Sequence, residues 1–279
     1  MTLNATAATV AQGITPELQA WVSSQSACGQ SMEHILQAMV AAGWEPGIAA
    51  RALQPVHAAP LAAVPKLAHV ASGNMVDAGD KWVEVTLRPD LPEFVVFNNL
   101  LSAAECEALV AAARPRLARS LTVNSVTGGE ALHKDRTSQG MFFETAENNV
   151  IRRVEARIAR LVGWPVTRGE CLQVLRYFPG AQYKPHYDYF DPAAPGTPAI
   201  LQCGGQRVAT LVMYLQEPEA GGATVFPVLG IRVAPKRGSA VFFSYAQAHP
   251  CSLSLHGGEP VTQGEKWIAT KWLREHEFS

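Results

Sequence analysis

One short segment contains two side chains that could bind a metal ion together. Residues 177–188 read YFPGAQYKPHYD, and within them His186 and Asp188 are separated by a single residue. Side chains alternate between the two faces of an extended strand, so those of residues i and i+2 point the same way. An imidazole and a carboxylate would then converge on one point and supply two of the three ligands of a small metal site.

A third ligand has to come from elsewhere in the chain. The best candidate is His256, in the segment SLSLHGGEPV, and His249 is a competing candidate just before it. Two histidines and one carboxylate, with coordination positions left open, are typical of non-haem Fe(II) sites that activate oxygen. Zinc sites more often use three histidines or a closed set rich in cysteine. The residue types therefore favour iron.

Four blocks of sequence resemble the 2-oxoglutarate- and Fe(II)-dependent dioxygenases, in their prolyl 4-hydroxylase-like branch. They are ECLQVLRYFPGAQYKPHYDYF at 170–190, RVATLVMYLQEPEAGGATVFP at 207–227, APKRGSAVFFS at 234–244 and SLHGGEPVTQGEKWIATKWL at 254–273. The blocks follow the order and spacing of that family, and the resemblance extends back to about Trp82. The SLH context and the ten-residue step to Lys266 select His256 rather than His249 as the third ligand.

The resemblance implies an oxidoreductase that hydroxylates an unactivated C–H bond. Fe(II) would be held by His186, Asp188 and His256, with 2-oxoglutarate and O2 as co-substrates and ascorbate as an expected reductant. Decarboxylation of 2-oxoglutarate would yield succinate, and no protein acid or base is required. The presence of Asp188 favours hydroxylation over halogenation, because halogenases of this superfamily lack that carboxylate.

Lys266 is the candidate for binding 2-oxoglutarate. In GEKWIATKW, strand alternation places Ile268, Thr270 and Trp272 on the same face as Lys266, so the lysine is expected to point inward. A buried lysine is costly unless it is paired with an anion, and the resemblance implies the distal carboxylate of 2-oxoglutarate as that anion. The alternative is a lysine on an edge strand, exposed to solvent.

Three hydroxyl groups are implied to complete the co-substrate pocket, those of Tyr177, Tyr214 and Thr224. Tyr214 lies in an apolar strand, so it could equally be a core tyrosine whose hydroxyl is bonded within the protein. Gly221 and Gly222, just before Thr224, are expected to form a turn with positive φ.

The substrate side is less clearly defined by the sequence. The resemblance implies that Arg136, Ser138, Glu170 and Trp272 line it. Many members that act on peptidyl proline have a histidine two residues after that tryptophan, whereas this chain has Arg274, which could pair with a substrate carboxylate.

Three functions from different classes remain open at this point. Peptidyl proline in a partner protein or peptide is the first expectation for the substrate, and a free amino acid or another small metabolite is the second. A metal-binding sensor or scaffold without turnover is the rival, and the triad and Lys266 argue against it. The loop at 191–205, rich in proline, alanine and glycine, resembles the mobile lid of the family.

The pattern of elements predicts a mainly β fold with flanking helices (α+β). Eight short strands separated by turns are typical of a two-sheet jelly roll, and the resemblance implies the same double-stranded β-helix. These strands are expected at 171–177, 185–189, 208–215, 223–226, 231–234, 239–244, 252–256 and 267–273. Earlier strands at 83–87, 94–97 and 141–144, and helices at 102–113 and 150–162 outside a sheet, complete the expected elements.

The N-terminal part predicts an additional small unit. Residues 1–60 are expected to form an all-α accessory module of three short helices, residues 61–81 an Ala/Pro-rich linker, and residues 82–279 the dioxygenase domain. A DNA-binding helix-turn-helix is the alternative for the module. Between residues 15 and 55, however, Arg51 is the sole Lys or Arg, so phosphate contacts are not expected. A packing module, or one that binds a protein, is expected instead.

Composition sets the remaining expectations. The net charge of −1 over 279 residues does not indicate binding to nucleic acid or to an anionic membrane. The five cysteines contain no CxxC pair, and the N-terminus lacks a basic region followed by an apolar run. No apolar stretch reaches the roughly 18–20 residues that span a bilayer. A cytoplasmic protein is therefore expected.

Overall fold

The computed structural model describes residues 13–27, 29–54, 63–68, 74–89, 92–123, 130–132 and 137–278. The α-helices in it are α1 (Pro16–Ala27), α2 (Met32–Ala41), α3 (Pro46–Ala52), α4 (Ala103–Ala113), α5 (Asn149–Val162) and α6 (Thr197–Leu201). The strands before α5 are β1 (Met75–Asp77), β2 (Trp82–Leu87), β3 (Phe94–Asn98), β4 (Ala118–Arg119), β5 (Leu121–Val123), β6 (Glu130–Leu132) and β7 (Gln139–Phe143). After α5 come β8 (Leu172–Tyr177), β9 (Tyr183–His186), β10 (Arg207–Gln216), β11 (Ala220–Gly221), β12 (Thr224–Phe226), β13 (Ile231–Val233), β14 (Ala240–Ser244), β15 (His256–Gly258), β16 (Val261–Gln263) and β17 (Lys266–Arg274).

Two antiparallel sheets form the body of the protein. The major sheet has nine strands in the order β1-β2-β3-β14-β10-β17-β8-β7-β4, and the minor sheet has four in the order β13-β12-β15-β9. An apolar cluster joins their facing sides, with Tyr214, Val241 and Ile268 from the major sheet and Phe226 and Val233 from the minor sheet. The mainly β jelly roll predicted from the sequence is therefore confirmed.

Helices α4 and α5 cover the outer face of the major sheet, as predicted. Helix α4 begins with the expected capping box, in which Ser102 and Glu105 satisfy each other's backbone N–H groups. Helix α5 ends at Gly163, whose φ of 60° is the left-handed conformation that a helix C-terminus favours. Apolar residues of both helices pack on the outward side chains of the sheet, such as Leu211 and Trp267.

The three N-terminal helices are present and pack on the body rather than lying apart from it. Their shared apolar cluster also contains Val228, Leu253 and Leu255 from the jelly roll. None of the helices in the part of the chain that the structure describes is long and apolar enough to cross a lipid bilayer.

Part of the predicted linker belongs to the body. Strand β1, within the expected linker at 61–81, pairs with β2 at the edge of the major sheet. Residues 63–68 run beside α5, where the Ala68 N–H donates to the Leu161 carbonyl over 2.8 Å and Leu67 is buried. These segments were predicted as a linker because they are rich in Ala, Pro and Val and show no period, but contacts with α5 and β2 hold them in place.

One predicted strand is wrong in its position. The segment 252–256 was expected to be extended, but a 3-10 turn occupies Pro250–Ser252 and Leu253 takes a left-handed backbone with φ of 57°. Proline favours the first position of such a turn, so Pro250 begins the turn. Strand β15 begins only after the turn, at His256. Likewise β9 ends at His186, and Asp188 lies in the bend that follows.

Candidate active site

Two histidines meet across paired strands of the minor sheet. His186 ends β9 and His256 begins β15, and the antiparallel register places these two residues directly opposite each other. Asp188 follows two residues after His186. Its Oδ1 lies 3.6 Å from Nε2 of His186, and its Oδ2 lies 3.5 Å from Nε2 of His256. The three ligand atoms all lie within 4.8 Å of one another, so the chain brings its predicted triad together.

Backbone carbonyls orient both imidazole rings toward the same point. Nδ1 of His186 lies 2.8 Å from the Lys184 carbonyl, and Nδ1 of His256 lies 2.9 Å from the Ser254 carbonyl. A carbonyl can only accept, so in each ring Nδ1 carries the hydrogen and Nε2 keeps a free lone pair. Both lone pairs face Asp188, which is the orientation that a shared metal ion requires.

Asp188 is held as a carboxylate by its surroundings. Burial of its side chain opposes the charge, but His256, His186 and Arg207 favour it, and the net effect holds the pKa of this carboxyl well below its usual range. The Thr210 hydroxyl donates to Oδ2 over 2.7 Å and lies 3.1 Å from the Tyr245 hydroxyl. Thr210 thus fixes one oxygen of the carboxylate.

The donor set fits a divalent iron ion. Burial lowers the pKa of His256 to about 4 against the opposing pull of Asp188, so this imidazole is neutral at pH 7 and can donate its lone pair. Two imidazole nitrogens and one carboxylate, with no fourth ligand among the described residues, match the facial arrangement that suits Fe(II) with open positions.

A cavity adjoins the triad between the two sheets. Its walls include the apolar side chains of Leu175, Val212 and Ile268, and Lys266 lies in the same wall. Tyr183, which stacks on the ring of His186 with centroids 3.6 Å apart, lines it near the triad. The cavity therefore connects the metal ligands with a buried cation through largely apolar surroundings.

Lys266 points inward, as strand alternation predicts. Its side chain is 3% exposed, and its ammonium donates to the Gly222 carbonyl over 2.6 Å. Gly222 has a φ of 71°, and a Cβ there would lie 3.1 Å from Cδ of Lys266, so this close approach needs glycine. Burial lowers the pKa of Lys266 to about 8, and it forms no ion pair with a described carboxylate. The cavity therefore presents a cation that an acidic ligand would stabilise.

The three predicted hydroxyl residues surround this lysine. Tyr177 and Thr224 line the cavity, whereas Tyr214 lies behind Thr224 and donates its hydroxyl to Oγ1 of that threonine over 2.7 Å. Burial raises the pKa of Tyr214. Of the two roles considered for Tyr214, the geometry matches the core tyrosine that orients a neighbour.

The predicted substrate residues divide into three groups. Trp272 lines the cavity, and its indole N–H is buried with no hydrogen-bond partner among the described residues, so it is available to a ligand. Ser138 is buried and donates to the Ser120 hydroxyl over 3.0 Å, away from the cavity wall. Arg136 lies outside the described residues.

Glu170 and Arg274 bond to the protein rather than facing a free substrate site. Glu170 accepts from both Nε and Nη2 of Arg207, at 2.6 and 2.7 Å, and from Arg274 at 3.2 Å. Arg274 is 2% exposed and also donates to the carbonyls of Ile200 and Cys203. Glu170 already supplies a carboxylate to Arg274, so this geometry does not support the expectation that Arg274 pairs with a substrate carboxylate, which stays a prediction.

Two residues of the site were not identified from the sequence. Thr210 lies in the apolar run VATLVMYL, and a buried hydroxyl there has to be bonded, which is a signal that sequence reasoning could have used. Arg207 stacks over Trp272, with its guanidinium carbon 4.1 Å from the ring centroid, and also donates to the Asp188 carbonyl. Nothing in the local sequence indicates its partners, because they lie on three separate segments.

A jelly roll that carries a His-Asp-His triad beside a buried lysine defines the class of 2-oxoglutarate- and Fe(II)-dependent oxygenases. Comparison with known proteins agrees with this assignment: the model of the 2OG-Fe(II) oxygenase superfamily matches residues 172–274. Prolyl 4-hydroxylase 5 of Arabidopsis thaliana is 38% identical over 230 residues, a match that covers 75% of this chain and 76% of the relative. Prolyl 4-hydroxylase 1 of the same plant is 42% identical over 229 residues, covering 72% and 78%.

A solved structure is also similar over most of its length. The viral collagen prolyl hydroxylase of Paramecium bursaria Chlorella virus-1, in its 2-oxoglutarate complex, superimposes with a TM-score of 0.51 at 31% identity, covering 66% of this chain and 97% of that one. The chain belongs to the prolyl 4-hydroxylase family of 2-oxoglutarate- and Fe(II)-dependent oxygenases. It is therefore an oxidoreductase whose cofactor is Fe(II) and whose co-substrates are 2-oxoglutarate and O2.

Proposed function

We propose that this enzyme hydroxylates prolyl residues in a peptide or protein. The observation that carries the proposal is the convergence of His186, Asp188 and His256 at one end of a cavity whose wall also contains the ammonium of Lys266, which forms no ion pair with a described carboxylate. The relatives named prolyl 4-hydroxylase, at 38% and 42% identity, support proline as the substrate.

In this proposal the chain supplies geometry and a dry pocket. His186, Asp188 and His256 hold Fe(II), and Lys266 binds the distal carboxylate of 2-oxoglutarate with the hydroxyls of Tyr177 and Thr224 beside it. With iron bound, one atom of O2 enters succinate as 2-oxoglutarate loses CO2, and the other enters a C–H bond of the substrate. Apolar walls keep water from the reacting atoms.

The open edge of the cavity is assigned to the substrate. The indole N–H of Trp272, which has no hydrogen-bond partner among the residues that the structure describes, would donate to a substrate carbonyl, and its ring is held in place by the guanidinium of Arg207. A peptide offers one carbonyl per residue, so this donor suits a peptide ligand.

A mass-spectrometric assay tests the substrate directly. A proline-rich peptide, incubated aerobically with Fe(II), 2-oxoglutarate and the enzyme, is expected to gain one oxygen atom per hydroxylated proline, with succinate formed in equal amount. The control variant His186→Ala lacks one metal ligand and is expected to form neither product. Succinate without any gain of mass on prolyl peptides would contradict proline as the substrate while leaving the reaction class intact.

A free amino acid or small metabolite is not favoured by the geometry. Its main support was an Arg274 available to a carboxylate, and that arginine is bonded to Glu170. The same assay with free proline covers this alternative, since oxygen incorporated into free proline but not into the peptide would favour it. Family membership also argues against a sensor or scaffold without turnover.

Two finer expectations stay proposals. Ascorbate is proposed as the reductant that keeps iron ferrous, so leaving it out should reduce the number of turnovers per enzyme. A protein partner is proposed for the solvent-exposed face of α1 and α2, where residues such as Gln19 and Gln37 are exposed and take no part in the shared core. Unchanged protein association after charge substitutions at both positions would contradict that partner.

A further inference from the structure

The N-terminal helices lie directly behind the segments that carry the metal ligands. The apolar cluster of α1, α2 and α3 is built around buried residues such as Ile35, Leu36 and Met39. It also includes Leu253 and Leu255, which precede His256, and Tyr187, which lies between His186 and Asp188. None of these three side chains lines the cavity; they pack instead against the helices.

One backbone carbonyl links the helical cluster to the ring of His256. Ser254, whose carbonyl accepts from Nδ1 of His256 at 2.9 Å, stands between Leu253 and Leu255. Both leucines are at most 4% exposed, and both belong to the cluster formed by the N-terminal helices. Helices α2 and α3 also contact the 3-10 turn at Pro250–Ser252. The position of the Ser254 carbonyl, and with it the direction of Nε2 in His256, depends on that packing.

Leu253 has a backbone conformation that its surroundings must maintain. Its φ of 57° lies in the left-handed region, which a leucine avoids because its Cβ crowds the backbone. Such a conformation is strained and persists only where neighbouring structure holds it. Here the side chain is buried among apolar residues that include those of the helices, three positions before a metal ligand.

Tyr187 makes the corresponding contact behind the other two ligands. Its ring stacks on Tyr189 with centroids 4.8 Å apart, and it packs against the helical cluster. Its hydroxyl is buried without a hydrogen-bond partner among the described residues. Packing rather than hydrogen bonding therefore holds this side chain, and the helices supply part of that packing.

We propose that the N-terminal helices are a positioning element of the metal site. They fix Tyr187, Leu253 and Leu255 from behind, and so hold the three ligand atoms in the separation that one iron ion requires. Lys266 lies on the major sheet and is outside the helical cluster, so this support acts on the metal rather than on the co-substrate carboxylate. The inference rests on the ligand set of the proposed function and adds to it a role for residues far from the cavity.

A matched pair of cavity-forming variants tests the proposal in the full chain. Leu36 in α2 and Leu161 in α5 are both fully buried, and the second lies on the opposite side of the major sheet from the cavity. Binding of Mn(II), measured by electron paramagnetic resonance well below the melting temperature, is the readout. Leu36→Ala is expected to weaken Mn(II) affinity about 10–100-fold, the range seen when groups that orient metal ligands are altered. Leu161→Ala is expected to leave affinity unchanged.

The outcomes distinguish a failure of the positioning role from a failure of the ligand assignment. Equal affinities for the two variants would overturn the positioning role while leaving the ligand assignment intact. If the unaltered chain binds no Mn(II), or if His186→Ala binds it as tightly, the ligand set itself fails, and the positioning role fails with it.

Hydrogen exchange on the unaltered chain gives a second measurement that no folding defect can obscure. If the helices stabilise the ligand geometry, metal binding must stabilise the helices by the same coupling free energy, because coupling between two sites is reciprocal. Adding Mn(II) is therefore expected to slow amide exchange in α2 and α3, although the metal ligands all lie elsewhere. Slowing confined to β9 and β15 would overturn the proposal.

Discussion

The charged residues beside the cavity are compensated in different ways. Asp188 is buried beside His186, His256 and the hydroxyl of Thr210, which together favour its carboxylate form. Lys266 has the Gly222 carbonyl as an acceptor but no described carboxylate as an ion partner. One more negative charge beside Lys266 would therefore stabilise the buried ammonium, and this is where 2-oxoglutarate is proposed to bind.

The pKa of Lys266 gives a pH-dependent prediction. Burial lowers it to about 8, below the ordinary value of 10.5, so the fold disfavours the ammonium. The stability that this costs is lost as the pH falls from about 10.5 to about 8 and does not change further below that pH. Binding of a carboxylate needs the ammonium, so the KM for 2-oxoglutarate is expected to rise as the pH increases above about 8. Steady-state kinetics on either side of that pH measure it.

Substitutions at Lys266 check the cause of that pH dependence. Arginine stays protonated in this range, so Lys266→Arg is expected to flatten the pH dependence even if its KM is higher throughout. Lys266→Ala removes a charge-assisted hydrogen bond and is expected to raise the KM by about 10–150-fold, corresponding to about 1.5–3 kcal/mol. A normal KM in the alanine variant would show that 2-oxoglutarate binds elsewhere.

At the level of single residues, the sequence predicted the triad and Lys266 but not how the substrate side is occupied. Strand alternation predicted the inward direction of Lys266, and the HxD spacing predicted that His186 and Asp188 lie close together, although Asp188 lies in the bend after β9 rather than within the strand. Glu170 and Arg274 were assigned to substrate because each was considered singly. Their pairing with each other and with Arg207 depends on three segments meeting, which no local pattern contains.

The loop that precedes β10 is tied to the body by β17. Arg274, at the end of β17, donates to the carbonyls of Ile200 and Cys203, at the end of α6 and just after it. The residues after β17 continue the contact, since the His276 N–H donates to the Gly204 carbonyl over 2.9 Å. The segment at 191–205, predicted as a lid, therefore contains a short helix and is fixed at its C-terminal root.

Arg274→Ala is expected to loosen that root and to affect the peptide substrate selectively. Loss of the buried hydrogen bonds should lower the free energy of unfolding by about 1–3 kcal/mol, while Glu170 keeps Arg207 as its partner. The KM for a prolyl peptide is expected to rise and that for 2-oxoglutarate to stay unchanged. Kinetics with each substrate varied in turn, alongside urea denaturation, measure both effects, and an equal rise in the two KM values would contradict the role of Arg274 as an anchor of the loop.

A buried ion pair attaches α5 to the major sheet. Nζ of Lys271 lies 2.7 Å from Oε1 of Glu155, and both side chains are at most 2% exposed. Lys271 points to the opposite face of β17 from Lys266, so two lysines five positions apart have unrelated roles.

Breaking this pair is expected to destabilise the fold without changing co-substrate binding. Glu155→Ala leaves a buried ammonium unpaired and should cost about 3–5 kcal/mol of unfolding free energy, whereas replacing both partners by Met and Leu should recover most of it. Guanidinium denaturation of the single and double variants measures the effect. A cost for the double variant as large as for Glu155→Ala would indicate that the pair itself, rather than the unpaired charge, matters.

Elements were predicted best where a regular period runs for several turns or residues. Helix α5, with its apolar stripe ending at Gly163, and strand β17 lie close to their expected positions. The strand expected at 252–256 was displaced because a proline-initiated turn and a left-handed leucine interrupt it. Isolated backbone conformations of this kind depend on tertiary packing, here on the N-terminal helices, and leave no periodic signal.

For the molecule as a whole, the sequence predicted the architecture but not the way its parts contact each other. Three helices, a connecting segment and a jelly roll were expected in that order. The packing of the helices on Leu253 and Leu255, and the pairing of β1 with β2 inside the expected linker, could not be predicted because they join segments far apart in sequence. The cytoplasmic location stays a prediction.

The central claim is that His186, Asp188 and His256 hold one iron ion, and anaerobic calorimetric titration of the metal-free chain with Fe(II) tests it most directly. One Fe(II) per chain is expected to bind, with His186→Ala and His256→Ala each abolishing the tight site. His249→Ala is the matched control, since this histidine caps the nearby 3-10 turn and is not part of the triad, and this variant is expected to bind normally. Tight binding that survives His256→Ala but is lost in His249→Ala would contradict the account.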